Sequence, residues 1–133
     1  AQTLFLSVIA TKNTFGVRRL ILDGGKNITL PLGWETHKIF PVQRLHEAAD
    51  RKTSLYGPLC HPGDVVANHL SLPALGVGEA IAIMDAGAYF VPNQMNFSNP
   101  RPAVVMVEQG HARMVRQRET FEDVVRLDGI GAR

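Results

Sequence analysis

At 133 residues, with 45% apolar and 20% charged side chains, the chain has the composition of one ordered globular domain, large enough to bury a core. The formal charge is only +2, and Arg113, Arg116 and Arg118 are interleaved with or followed by Glu119, Glu122 and Asp123, which excludes the basic stripe of a nucleic-acid surface. No apolar run approaches the ~20 residues of a membrane span, and the single cysteine, Cys60, excludes a disulfide framework and any CxxC-type metal site.

The amino end, Ala1-Gln2-Thr3, has neither an initiator Met nor a signal-peptide core, and runs straight into a strand-like segment as though an upstream domain had been removed. Leu4 to Thr11 reads as a strand, residues 12–16 as a hairpin turn, and Val17 to Leu22 as the returning strand, which stops at Asp23-Gly24-Gly25. Thr36 to Val42 is a weaker strand, and the polar stretch 43–53 a surface loop or short helix. Ser54 to Cys60 reads as a strand whose Pro58 belongs at an edge or bulge. Asp64 to Asn68 and Ala80 to Met84 follow; the latter is continuously apolar, so both its faces are expected to be covered. Ala103 to Val107 and Ala112 to Arg116 make a hairpin around Gln109-Gly110. Thr120 can cap a short helix through Leu127, with Asp123 completing a capping box. Repeated short strands between turn signals predict an all-β domain over 1–128, a mostly antiparallel, Greek-key-like β-barrel of about seven to nine strands with one short C-terminal helix. Residues 129–133 read as a tail.

Three clusters ask for more than packing. In Gly57-Pro58-Leu59-Cys60-His61-Pro62-Gly63-Asp64 a thiol, an imidazole and a carboxylate fall within five residues, framed by residues that fix an irregular backbone. A thiol there can donate a proton or attack as a nucleophile, although a buried structural cysteine beside a tight turn satisfies the same pattern. Asp85-Ala86-Gly87-Ala88-Tyr89-Phe90 sets small residues before a phenol able to donate to an anion; a half-buried core tyrosine is the bland alternative. The third, residues 93–102, is an amide-rich loop holding Phe97 and Arg101-Pro102, the type of segment that lines a site or merely connects strands.

In this order and spacing the clusters resemble the C-terminal domain of the fold-type III, pyridoxal-phosphate-dependent ornithine, diaminopimelate and arginine decarboxylases. The resemblance rests on Gly57-Pro58-x-Cys60-x-x-x-Asp64, Asp85-x-Gly87-Ala88-Tyr89, Phe97 eight residues beyond that tyrosine, Arg101-Pro102, Arg118-Glu119-Thr120 and Asp23-Gly24-Gly25, and it spans roughly residues 3–128. It implies that Cys60 is the catalytic residue, returning a proton to the α-carbon after CO₂ leaves, within the active site of the partner subunit of a homodimer. It implies that Tyr89 binds the cofactor's phosphate, that His61, Asp64 and Phe97 face the amino-acid substrate, and that Asp64 can serve instead to hold the loop. No metal is implied, and the protein is expected in the cytoplasm, without nucleic-acid or membrane partners.

Two departures bear on the substrate. His61 stands where the family usually has an acidic residue for a distal amine, and Leu30-Pro31-Leu32-Gly33-Trp34 stands where diaminopimelate decarboxylases have Arg-Pro-x-x-Tyr. They point away from diaminopimelate and from a plain diamine-forming substrate, towards a divergent decarboxylase. Lys12, Lys26, Lys38 and Lys52 fall in segments read as β or loop, unlike the strand that carries the cofactor lysine, so this chain alone is expected to be inactive. Two alternatives stand beside this reading: a fold-type III racemase domain, which the Cys60 loop and the Gly-Ala-Tyr motif disfavour, and a catalytically inactive homologue acting as a regulatory or interaction protein, which His61 keeps open.

Overall fold

The computed structural model describes residues 2–129. The described residues form eight strands, β1 (Leu4–Thr14), β2 (Val17–Leu22), β3 (Ile39–Pro41), β4 (Arg51–Tyr56), β5 (Val65–Leu72), β6 (Ala80–Ile83), β7 (Val104–Glu108) and β8 (His111–Arg116), with short helices α1 (Lys26–Thr29) and α2 (Phe121–Val125). The chain divides into two compact units, residues 1–94 and 95–133.

In the first unit six strands are hydrogen-bonded in the order β3-β6-β1-β2-β4-β5. All neighbours run antiparallel except β2 and β4, so the fold is the mostly antiparallel β-barrel expected. The parallel pair arises because β3 goes to the far edge beside β6 before β4 returns to β2. Strand alternation sends Leu6 and Val8 of β1, Leu20 and Leu22 of β2, and Leu55 of β4 inwards, all almost fully buried. Each contributes about 1.5–3 kcal/mol by leaving water. In β6, which is paired on both sides, Ile81, Ala82 and Ile83 are all buried, in line with its unbroken apolar sequence.

The sequence reading needs correction at two places. Residues 26–33 are helical, α1 running into a 3-10 turn at Leu30–Gly33, whereas only one helix was expected. The cause is local: Thr29 Oγ1 donates to the Gly25 carbonyl at 2.9 Å, and Asn27 Oδ1 accepts from the Gly25 N–H at 3.0 Å. Short polar side chains that satisfy the nearby backbone turn the chain away from strand. Lys26 therefore opens a helix and does not lie in β or loop. Second, the strand expected over 54–60 is β4, which begins at Arg51 and ends at Tyr56, leaving Pro58 and Cys60 in a loop. It ends there because Gly57 is where the buried Asp64 side chain passes: a Cβ on Gly57 would lie 2.3 Å from Asp64 Oδ2.

In the second unit β7 and β8 form a two-stranded hairpin. Gln109 and Gly110 turn it with φ of 49° and 80°, the paired positive values of a type I′ turn. Thr120 caps α2 as the sequence suggests: Asp123 N–H donates to Thr120 Oγ1 and Thr120 N–H to Asp123 Oδ2, a closed capping box, though the helix stops at Val125. The tail read at 129–133 lies outside the described residues beyond Gly129.

Candidate functional site

The loop from Gly57 to Asp64 connects β4 to β5 and is closed at its base by Gly57 N–H donating to the Asp64 carbonyl at 2.9 Å. Within it His61 N–H donates to the Leu59 carbonyl at 2.8 Å and Asp64 N–H to the His61 carbonyl at 3.0 Å. Cys60 sits on this framework as an exposed free thiol, which removes the buried structural cysteine as an explanation. An exposed Sγ–H is chemically able to donate a proton to a neighbouring carbon centre. The His61 ring folds back on its own loop, Nδ1 accepting from Gly63 N–H at 3.0 Å.

Asp64 is the hidden member of the cluster, only 3% exposed. Its Oδ1 accepts from Lys26 N–H at 2.6 Å and its Oδ2 from Leu59 N–H at 2.7 Å. The carboxylate passes between Gly25 and Gly57, where an added Cβ would come within 2.1 and 2.3 Å of its oxygens. The carboxylate thereby ties the Cys60 loop to the Asp-Gly-Gly turn and the start of α1. Lys26 lies beside it, where burial pushes its ammonium pKa down more than Asp64 raises it.

Tyr89 lies beyond β6 on a turn whose neighbours Ala86 and Phe90 are buried, while Tyr89 itself is 60% exposed. Asp85 enters this turn with φ of 56°, a strained value for a residue with a side chain. Ala86 N–H donates to the Gln2 carbonyl at 2.7 Å, and Asn93 Nδ2 to the Tyr89 carbonyl at 2.8 Å, so the backbone around the phenol is tied down. The ring of His37 packs edge-on against Phe90, with centroids 5.0 Å apart.

Phe97 belongs to the second unit, on a turn closed by Asn99 N–H donating to the Asn96 carbonyl at 2.7 Å. It is 53% exposed with φ of 57°. The adjoining Arg101-Pro102 and Arg118-Glu119-Thr120 segments meet through Glu119. Its Oε2 accepts from Asn96 Nδ2 at 2.6 Å and from Arg101 N–H at 2.8 Å, and its Oε1 from the Arg101 guanidinium.

Residues 1–87 match the family described as pyridoxal-dependent decarboxylase, C-terminal sheet domain. The chain belongs to that family. It is 37% identical over 132 residues to the diaminopimelate decarboxylase of Bacillus subtilis, covering 96% of this chain and 30% of the relative. With the diaminopimelate decarboxylase of Methanothermobacter thermautotrophicus it shares 39% over 98 residues, 73% of this chain and 23% of that one. The crystal structure of Helicobacter pylori diaminopimelate decarboxylase complexed with L-lysine superposes with a TM-score of 0.84 at 29% identity, covering 97% of this chain and 32% of that one. The chain thus spans about 30% of the Bacillus relative's length. These relatives are decarboxylases, and neither the racemase nor the inactive-homologue alternative gains support from them. Among the described residues no helix is long and apolar enough to cross a membrane, and no group of His, Cys, Asp or Glu could hold a metal ion.

Within this decarboxylase-family domain, sequence reasoning singled out Cys60, His61, Asp64, Tyr89 and Phe97, and the first three share one loop. It missed His37 and Lys26, each remote in sequence from the motif it touches, and it did not see that Glu119 binds Arg101. The usable signal was the glycine pairing: two glycines, Gly25 and Gly57, standing in separate motifs mark a close approach whose occupant is Asp64.

Proposed function

We propose that this chain is the C-terminal domain, over residues 1–128, of a cytoplasmic, homodimeric, pyridoxal-phosphate-dependent diaminopimelate decarboxylase. The carrying observation is an exposed Cys60 on a loop tied down by buried Asp64, in a chain 37% identical to a diaminopimelate decarboxylase over 96% of its length. That likeness outweighs the two departures that pointed to another substrate, because it extends over 96% of the chain whereas the departures are confined to residue 61 and the stretch 30–34.

The donor set fits the cofactor: Tyr89 presents an exposed phenol on a tied turn, suited to donate to a phosphate oxygen. Pyridoxal phosphate, when bound, supplies the electron sink for loss of CO₂. The chain's own groups do the rest. Tyr89 holds the phosphate, and the Cys60 Sγ–H holds the proton that the α-carbon receives after CO₂ departs. Asp64 keeps the Cys60 loop in register, and His61 and Phe97 border the substrate. The cofactor lysine comes from the part of the protein outside this chain, and Cys60 serves the partner subunit's site.

The test uses the full-length protein with pyridoxal phosphate, measuring CO₂ release from diaminopimelate, lysine, ornithine and arginine. Diaminopimelate should be turned over, and Cys60→Ala should cut turnover by about 10²–10⁴, the usual worth of a positioned proton donor, with the cofactor's absorbance retained. Release from another of these amino acids alone would overturn the substrate, and release from none, or an unaffected Cys60→Ala, would overturn the reading.

A further inference from the structure

We propose that His37 is a positioning residue: as an imidazolium it latches the turn that presents Tyr89, and loss of one proton releases that turn. The inference rests on the cofactor-binding role given to Tyr89 above. His37 precedes β3, outside every motif that carries the family resemblance, and its side chain is only 9% exposed.

Its two ring nitrogens face two acceptors. Nδ1 lies 2.8 Å from the Met84 carbonyl oxygen, and Nε2 lies 2.9 Å from Glu35 Oε2. A neutral imidazole has one N–H, which the Glu35 carboxylate, the stronger acceptor, retains, so that the Met84 oxygen is left facing a lone pair; the imidazolium donates to both. The ring also packs edge-on against Phe90 at an interplanar angle of 74°. Met84 immediately precedes Asp85, and Phe90 immediately follows Tyr89. One side chain therefore grips both ends of the segment 85–89 from a neighbouring stretch of chain. Backbone pairing reinforces the juxtaposition, since Met84 N–H donates to the Lys38 carbonyl at 2.9 Å. Asp85, at the start of the gripped segment, is held in the left-handed region at φ of 56°.

The charged groups whose fields reach the ring are Glu35, on its own segment, and Asp85, on the turn after β6. Burial opposes the charged form most strongly, but the Glu35 and Met84 acceptors and the Asp85 charge together outweigh it and raise the pKa above the ordinary 6.5. Because the folded pKa is the higher one, the latch is fully engaged below the ordinary value and is lost as pH rises through the raised one.

In the full-length protein, amide hydrogen exchange over 86–91 and pyridoxal-phosphate affinity are followed from about pH 6 to about pH 9, bracketing the imidazole titration. Wild type should show exchange at 86–91 accelerating beyond the uniform rise of base catalysis, with cofactor affinity falling about tenfold across the same interval, as for one lost hydrogen bond. His37→Gln should exchange fast and bind weakly at every pH. Glu35→Gln keeps the ring in place, and so serves even where His37→Gln does not fold; it should move the break to lower pH. An unmoved break in Glu35→Gln, or exchange and affinity identical in wild type and His37→Gln, overturns the latch. An exchange break in a protein that takes up no pyridoxal phosphate supports the latch and removes the decarboxylase reading instead.

Discussion

Asp64 accepts backbone protons from two separate turns, Lys26 N–H at 2.6 Å and Leu59 N–H at 2.7 Å, while only 3% exposed. A carboxylate withdrawn from water costs several kcal/mol unless its oxygens are satisfied, and charge-assisted bonds to backbone amides do this well. Asp64→Asn keeps the volume but sets an NH₂ group against one of those N–H donors. We expect it to lower unfolding free energy by about 1.5–3 kcal/mol, the worth of one hydrogen bond to a charged group. Denaturant titration of the full-length protein measures this, and an unchanged midpoint would remove Asp64 as the strut of the Cys60 loop.

Two stretches of the second unit, around Arg101 and around Glu119, are joined through Glu119, whose side chain is 15% exposed. The Arg101 guanidinium, with further bonds from the Arg101 N–H and the Asn96 amide, brings the Glu119 pKa down from 4.5 to about 2. A depressed folded pKa means that the stabilisation is present above the ordinary value and is lost as pH falls towards about 2. Glu119→Gln should therefore destabilise this unit at neutral pH by about 1.5–3 kcal/mol. The gap between wild type and variant should close as pH drops from about 4.5 to about 2. Hydrogen exchange at the amides of β7, β8 and α2 reads it, and a gap constant with pH would mean that the ionised carboxylate is not what holds these segments together.

At the scale of the whole protein, the proposed activity needs parts this chain does not carry, for it spans about 30% of its Bacillus relative. The proposed dimer places Cys60 of one subunit in the site holding its partner's cofactor lysine. Alone, full-length Cys60→Ala should keep only its slow residual turnover and a variant lacking that lysine should be inactive. Mixed, they should recover turnover at about a quarter of all sites, since half the dimers are hybrid and each hybrid has one site with both groups intact. Hybrid dimers that form without recovered turnover would show that Cys60 does not act in trans.

The strands, most of their turns and the α2 cap were legible in the sequence because each is written locally. Alternation marks β1 and β2, an unbroken apolar run marks β6, and Thr120 with Asp123 marks the helix start. Motif order singled out Cys60 and Tyr89 as candidates and pointed to the family whose model matches residues 1–87. Helix α1 was not legible, because Asn27 and Thr29 stabilise it only by bonding the Gly25 backbone within a stretch whose apolar spacing is ambiguous. Nor were the partners of the motif residues. Asp64 reaches Lys26 across 38 residues, His37 reaches Met84 across 47, and Glu119 reaches Arg101 across 18. Such contacts leave no periodicity along the chain. Strand order, with β4 parallel to β2 and β3 beside β6, decides which loops meet, and only then do side-chain geometry and burial set what each charged group does.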